Sequence, residues 1–355
     1  MSQSGIDGFI TNFCIPSAPG DTLSQVIDIL SSNENRAQDL LKPLMKNPLY
    51  GDLILKVDIL QERINRWMAD DSIEPHRHDL LLEKTLGLLG RAAIRNSLFC
   101  IRVQRISKLG IPIKKADRFL VTPREQIKCA LLVEEFCEKH KLALSDQAYL
   151  AGLHFDWLRA LAIANKATGD IKVYVDQTFK RALKAALIAY QLGSIAETTK
   201  YDSQVFAGTL LSWSGRVIQY ILYPKDLEAK SWFKFEVANE KLGDEAELAF
   251  LIREPKHFEW THAELAALYA TSFRFFAPIE KALNYYLNPS LLKSIDHDLY
   301  DLSALIHLSN RLSRIEDIKT FEFSKPIAAL VKDLKLSETT VKQIAGFAIQ
   351  AFKEG

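Results

Sequence analysis

The sequence predicts an all-α protein, and three observations support that prediction. Apolar residues recur at a spacing of three to four along nearly the whole chain, which is the period of one helix face. We find no convincing run with the alternation of apolar and polar residues typical of a half-buried strand. Glycine is scarce, with 15 among 355 residues, while alanine and leucine are abundant. We therefore expect helices packed on helices.

Helix start signals support this prediction at three places. Thr122-Pro123-Arg124-Glu125 combines a cap, a first-turn proline and a glutamate, and Thr261 to Glu264 has the spacing of a capping box. Ser337 is expected to open the last helix. The periodicity predicts helices near 21–32, 36–45, 49–69, 79–109, 123–140, 146–167, 174–197, 203–223, 226–241, 244–253, 262–274, 277–287, 296–314, 325–334 and 338–353. A short extended piece is expected only within 318–326.

The chain divides into four predicted parts. Residues 1–20 hold three glycines and two prolines with little periodicity, and we expect a flexible arm there. An N-terminal helical lobe is expected over 21–115 and a second helical lobe over 116–315. The helices in 316–355 are expected to pack back onto the core.

One internal similarity occurs at an offset of 56 residues. Without gaps, Asp146, Ala151, Gly152 and Trp157 match Asp202, Ala207, Gly208 and Trp213. Two helix pairs of similar build could therefore lie side by side. The alternative is that helices rich in alanine and leucine match by chance.

Charge and apolar content exclude several classes of protein. With 45 basic and 44 acidic residues, the chain has no general attraction for nucleic acid or anionic membranes. No stretch approaches the 18 apolar residues of a membrane span, and the N-terminus lacks the pattern of a signal peptide. The four cysteines form no CxxC pair, so we expect free buried thiols in a reducing cytoplasm.

Motifs for catalysis or metal binding are missing from the sequence. It has no GxSxG, P-loop, GxGxxG, HExxH or zinc-finger spacing. His154 and Asp156 stand two apart on a predicted helix, so their side chains should point in nearly opposite directions and not share one metal. His78-Asp79 is expected simply to open a helix. His262 is expected at a surface or interface, and His307 to be partly buried.

Aromatic residues cluster in three segments that could form an interaction surface. Exposed aromatics beside arginine are typical of binding hot spots. Core packing is the alternative for most of them. The residues concerned are Trp232, Phe235, Phe273, Arg274, Phe275, Phe276, Tyr285 and Tyr286.

Five segments follow one another across about 22–315: Asn47 to Val57, Leu82 to Asn96, Phe258 to Ala267, Pro278 to Pro289 and Ala304 to Leu312. No single segment is specific, but taken in order they resemble the HDOD family of HD-related output domains in bacterial signalling. The resemblance implies an HD-domain-like helical bundle.

The resemblance also implies a lost metal site. Active HD-domain hydrolases hold metal with an early His, an adjacent His-Asp pair and a later Asp. Here Arg181 stands at the early His. The pair becomes Ser212 and Trp213, or Leu211 and Ser212 if the register shifts by one. The late Asp becomes Asn310, so we expect no metal, no cofactor and no catalytic residue.

The function implied is that of a non-catalytic bacterial signalling or scaffold protein in the cytoplasm, acting through protein–protein interaction. A GTPase-like or receiver-type partner, in a signalling or polarity/motility pathway, follows from the resemblance alone. Two alternatives stay open. The old pocket could bind a nucleotide or cyclic dinucleotide through Arg181, Ser212 and Asn310, or a displaced site around His154 and Asp156 could retain metal-dependent phosphohydrolase activity.

Overall fold

All regular secondary structure that the computed structural model describes is helical, which confirms the predicted all-α class. The structure describes residues 22–31, 37–55, 78–109, 127–164, 170–196, 202–223, 252, 254–256, 258, 260–273, 275–315, 317–318 and 321–353. The helices are Thr22–Leu30 (α1), Ala37–Met45 (α2), Pro48–Leu55 (α3), His78–Leu109 (α4), Lys128–Lys139 (α5), Asp146–Ala164 (α6), Asp170–Ile195 (α7), Asp202–Ser212 (α8), Ser214–Leu222 (α9), His262–Ser272 (α10), Ala277–Tyr285 (α11), His297–Ser313 (α12), Lys325–Asp333 (α13) and Glu338–Lys353 (α14). A short 3-10 helix covers Pro289–Leu292.

The first three helices pack on one another and on α4, and α4 also packs on α6. Helix α4 therefore joins the N-terminal helices to the rest of the molecule. It was predicted as one helix, but Gly90 interrupts it with φ 74° and ψ 150°. Glycine takes this left-handed backbone without the steric cost that a side chain would add.

Helix α7 lies at the centre of the remaining helices. It packs against α6, α8, α12 and α14. Its inner face carries four fully buried alanines, whose small side chains let neighbouring helices approach closely: Ala182, Ala185, Ala186 and Ala189. Helix α14 packs on α7 and α12, and α13 packs on α12 and α14, so the C-terminal helices cover the central core.

Several predicted helix boundaries change in the structure. Helix α7 begins at Asp170, four residues before the predicted start at 174. Helix α5 begins at Lys128, because Ile127 has non-helical backbone angles of φ −112° and ψ 33°. The predicted single helix over 203–223 is two helices that meet at Trp213. The start signal at Thr122-Pro123, the predicted helix over 226–241 and the arm at 1–20 lie outside the described residues. In 318–326, the described positions contain no strand.

The two segments of the internal similarity form comparable helix pairs with different neighbours. Helices α6 and α8 begin at the matching residues Asp146 and Asp202, and each packs on the helix before it. However, Gly152 faces the backbone of Ala130 on α5, whereas Gly208 faces Ile306 on α12. Common ancestry of the two pairs stays a prediction.

The cysteines that the structure describes are free and buried, as the sequence predicted. They are Cys100, Cys129 and Cys137. Burial raises the pKa of Cys100 to about 12 and that of Cys137 to about 11, so these thiols stay protonated and unreactive near neutral pH. In the described part of the chain, no helix is long and apolar enough to cross a membrane.

Candidate functional site

Two serine hydroxyls donate hydrogen bonds to the preceding turn at the junction of α8 and α9. Ser212 Oγ donates to the carbonyl of Thr209 over 2.7 Å, and Ser214 Oγ donates to that of Leu211 over 2.6 Å. Serines that bond to the preceding turn compete with the helical ladder and bend or end a helix. Trp213 therefore lies at a break that apolar periodicity alone did not predict.

The break brings together three of the four positions that the family resemblance singles out. Trp213 Nε1 donates to Asn310 Oδ1 over 2.7 Å, and Asn310 Nδ2 donates to Ser212 Oγ over 2.8 Å. All three side chains are buried. We call Ser212, Trp213 and Asn310 the Trp213 network.

Two arginines lie beside the Trp213 network. The guanidinium carbon of Arg216 is 5.4 Å from the Trp213 ring centre, and that of Arg314 is 5.9 Å away. These distances are within cation–π range. Two positive charges at this position also disfavour a bound cation, because like charges repel most strongly where water is excluded. The sequence comparison with the HD pattern did not identify either arginine.

Tyr286 links the Trp213 network to His307. The Tyr286 hydroxyl donates to the Ser212 carbonyl over 3.4 Å. His307 Nδ1 lies 2.8 Å from the carbonyl oxygen of Tyr286, so that nitrogen is the donor. His307 is partly buried, as the sequence predicted. Its ring holds the connection between α11 and α12 in place.

Arg181 does not share the burial of the Trp213 network. It lies with Lys180 on the exposed face of α7, while the following residues Ala182 and Leu183 enter the core. Arg181 therefore does not line a pocket together with Ser212 and Asn310. Helical periodicity explains the difference, because one step along a helix turns the side chain by about 100°.

His262 is buried rather than exposed, which corrects the expectation from the sequence. Its Nδ1 lies 2.7 Å from Glu254 Oε2, and its backbone N–H donates to the same oxygen over 2.8 Å. The capping box between Thr261 and Glu264 that the sequence predicted is present at this helix start. Glu254 is completely buried and was missed, because nothing in its local sequence marks a buried carboxylate.

Gly215 allows α9 to reach the start of α10. A Cβ atom at this position would overlap the His262 carbonyl oxygen. Only a residue without a side chain can make this approach. The backbone of α9 thus packs directly on the turn that positions His262.

His154 points into an aromatic cluster. Its Nδ1 lies 2.7 Å from the Tyr269 hydroxyl, and its ring centre is 4.4 Å from that of Phe99 and 4.5 Å from that of Phe273. Burial, followed by the charge of Arg102, holds the pKa of His154 well below its usual value. The imidazole is therefore neutral and bonded to tyrosine.

Asp156 points away from His154, as the spacing predicted. Its carboxylate accepts from Cys129 N–H over 2.8 Å and from Ala130 N–H over 3.0 Å. These are the first amides of α5, a helix whose own N-cap residue, Ile127, supplies no side-chain bond. The Asp156 side chain, on α6, thus caps the start of α5. Burial raises the pKa of Asp156 to about 7.

Fewer of the aromatic residues proposed for an interaction surface are exposed than the sequence suggested. Phe275 and Tyr286 are buried, and Phe273 is packed against the core. Phe276 and Tyr285 are exposed at 43% and 39%. Trp232, Phe235 and Arg274 lie outside the described residues. Leu291 and Ile295, further along the chain, are also exposed, at 56% and 76%.

No group of three or more His, Cys, Asp or Glu side chains converges in a metal-binding arrangement among the described residues. Comparisons with known proteins found no matching family model, curated protein or solved structure.

Proposed function

We propose that the chain is a non-catalytic protein-binding module of the signalling or scaffold type that the HDOD resemblance implies. The Trp213 network is the observation that carries this proposal. An indole N–H is a donor only and cannot bind a cation, and the Asn310 amide already bonds to the indole and to the Ser212 hydroxyl. At the positions that the resemblance matches to metal ligands of an HD hydrolase, these side chains hydrogen-bond to one another instead.

The two alternatives find less support. Ser212 and Asn310 are buried and bonded while Arg181 is exposed, so they do not form a shared phosphate site. His154 and Asp156 bond to partners on different elements, Tyr269 on α10 and the first amides of α5. A displaced hydrolase centre would need both side chains to turn out of the core.

The exposed apolar residues between Phe276 and Ile295 support binding to another protein. Tyr285, Leu291 and Ile295 are 39%, 56% and 76% exposed on a segment held by the core helices. Rigid exposed aromatic and aliphatic side chains are what protein interfaces use as anchors.

Metal content tests the non-catalytic part of the proposal. We would incubate the protein with manganese, iron and zinc, desalt it and measure bound metal by mass spectrometry. The proposal expects no stoichiometric metal. Retention of one metal per chain, lost in His154→Ala or His262→Ala, would overturn it in favour of an enzyme.

Site-specific photo-crosslinking in cells tests the binding part. A photoreactive residue at Tyr285 should form an adduct with a defined partner protein. The matched control is Val173, which is 56% exposed on α7 and lies outside this surface. Equal adducts at both positions, or none at Tyr285, would contradict binding at this surface.

A further inference from the structure

Arg95 is a buried cation on α4, the helix that packs on α6. Only 7% of the residue is exposed. Its guanidinium donates two hydrogen bonds, from Nε and from Nη2, and both go to Asn96 Oδ1 over 3.3 Å. It forms no ion pair with any residue that the structure describes. A buried arginine normally has an acidic partner, because an unpaired charge away from water is costly.

The charge of Arg95 is itself desolvated, rather than carried into solvent on a long stem. Burial lowers the pKa of Arg95, the charge of Asp146 opposes this effect, and the charge of Arg91 adds to it. Asp146, the first residue of α6, is exposed and makes no ion pair with Arg95. Arg91 and Arg95 are four residues apart and so lie on one face of α4, where like charges repel. The fold therefore holds a positive charge that is not compensated locally.

The buried carboxylates in the described part of the chain are used elsewhere. They are Asp156 and Glu254. Asp156 accepts from the first amides of α5, and Glu254 accepts from the first amide of α10. The positive charge of Arg95 reaches His154 on α6, whose pKa it lowers after burial and the charge of Arg102. The described core thus offers Arg95 no buried acid as a counter-charge.

Asn96 supplies a second donor beside the guanidinium. Its side chain is buried, and its Oδ1 accepts both bonds from Arg95. This arrangement leaves Nδ2 of Asn96 with two hydrogens, which go to no group within the described residues. The unused atoms of the two side chains are therefore all donors. A guanidinium and an amide N–H on adjacent residues match the acceptor oxygens of a carboxylate or a phosphate.

We infer that Arg95 and Asn96 form a binding site for a small oxyanion, a carboxylate or a phosphate group. One oxygen would accept from the guanidinium and another from the Asn96 amide, while Arg91 adds to the attraction. The small exposed fraction admits a small group and excludes a peptide or nucleic-acid strand. The site lies on α4, whereas the Trp213 network joins the α8–α9 junction to α12, so this role is additional to the proposed function.

Thermal unfolding of the full chain tests the inference. The probes are sodium phosphate, sodium acetate and sodium chloride at one pH and one ionic strength. We expect phosphate or acetate to raise the unfolding temperature until the site is saturated, because a ligand that binds only the folded state stabilises it. Titration calorimetry then gives the affinity. A tighter complex with phosphate assigns the site to a phosphate group, and a tighter complex with acetate assigns it to a carboxylate.

Two variants separate a ligand site from a structural arginine. Arg95→Met removes the buried charge, so it should unfold at a higher temperature than the parent chain in chloride and lose at least about tenfold in oxyanion affinity. Asn96→Asp places a carboxylate beside the guanidinium. It should also be more stable in chloride and should no longer respond to either oxyanion. Arg181→Met is the matched control, because Arg181 is exposed on α7, and it should keep the oxyanion response of the parent chain.

The inference would be overturned by the absence of a response to both oxyanions, or by an equal response in the parent chain and Arg95→Met. The second result would mean that phosphate acts only through its general effect on protein stability. A loss of stability in Arg95→Met in chloride would also overturn it, since the arginine would then have a counter-charge in the fold. Asp146→Asn identifies that charge. It should tighten oxyanion binding, and destabilisation instead would mean that Asp146 pairs with Arg95.

Discussion

Trp213 and Asn310 are 97 residues apart in the chain, yet the indole N–H of one donates to the amide oxygen of the other over 2.7 Å. The same amide donates to Ser212, so a single side chain on α12 satisfies two consecutive residues at the α8–α9 junction. Because all three groups are buried, none of these bonds can be replaced by water without rearrangement.

Replacing Asn310 should therefore destabilise the fold strongly. Asn310→Ala leaves the buried indole N–H without its acceptor and removes the donor to the Ser212 hydroxyl, which keeps its bond to Thr209. We expect a loss of about 2–4 kcal/mol in the free energy of unfolding. Urea denaturation followed by circular dichroism measures it. Asn284→Ala, at an exposed position on α11, should change stability by less than about 0.5 kcal/mol. A loss at Asn310 as small as the control's would mean that the network is not important for stability.

Gly215→Ala and Gly87→Ala should have opposite effects. At Gly215 a methyl group would meet the His262 carbonyl oxygen, a backbone atom that cannot move aside alone, so we expect a loss of about 3 kcal/mol or more. At Gly87 a methyl group meets nothing within 4 Å, and alanine should stabilise the helix by about 0.5–1 kcal/mol. Thermal and urea unfolding of both variants would test the close approach. Similar stabilities would contradict it.

Asp156 should make stability fall as pH rises through the acidic to neutral range. Its pKa is about 7 in the folded chain against 3.8 for the free side chain, so the folded state holds the proton more tightly. The associated stability is present below pH 3.8 and lost as pH rises through about 7, on the order of 4 kcal/mol in total. Asp156→Asn removes this titration.

Urea denaturation at several pH values, for the parent chain and Asp156→Asn, measures the effect as a difference. Taking the difference cancels the contribution of His154, whose lowered pKa makes stability fall when the pH drops below its ordinary value of 6.5. Parallel stability curves for the two proteins would show that the Asp156 carboxyl does not titrate in this range.

Lys141→Gly should stabilise the protein. Lys141 has φ 54° at the end of α5, where Leu142 N–H donates to the Cys137 carbonyl over 2.8 Å. Glycine takes this left-handed conformation without steric cost, so we expect a gain of about 0.5–1 kcal/mol. Lys141→Ala separates loss of the charge from relief of the backbone, because it removes the ammonium group but keeps the Cβ atom. An equal gain in Lys141→Ala would contradict the backbone explanation.

Among the described residues, the sequence predicted most of the helices because their signals are local. The capping box at Thr261 and the start of α14 after Ser337 each depend on residues within one turn. The break at Trp213 was missed, because the serines beside it end a helix only when their hydroxyls turn toward the preceding carbonyls. Apolar spacing continues across that point without interruption.

The candidate site was predicted only in part. The resemblance selected Ser212, Trp213 and Asn310, which the fold brings together, but it also selected Arg181, which the fold leaves exposed. Glu254 and Asp156 accept hydrogen bonds from His262 and Cys129 only because the tertiary structure brings them together, so no local sequence pattern predicts these contacts. Phe275 is buried and the next residue, Phe276, is exposed. Which of these two side chains enters the core depends on the backbone of the turn between α10 and α11. The HDOD resemblance itself stays a prediction.

The distant cap that Asp156 places on α5 has a consequence for how the molecule opens. The first amides of a helix normally exchange their hydrogens with solvent rapidly, because they have no partner within the helix. Here Cys129 and Ala130 give theirs to a carboxylate on the following helix. The hydrogen exchange of these two amides should therefore be slow, and should occur only when α5 separates from α6. Short of that separation, the two helices should fluctuate as one unit. A peptide containing α5 alone would lack the carboxylate that caps the start of the helix.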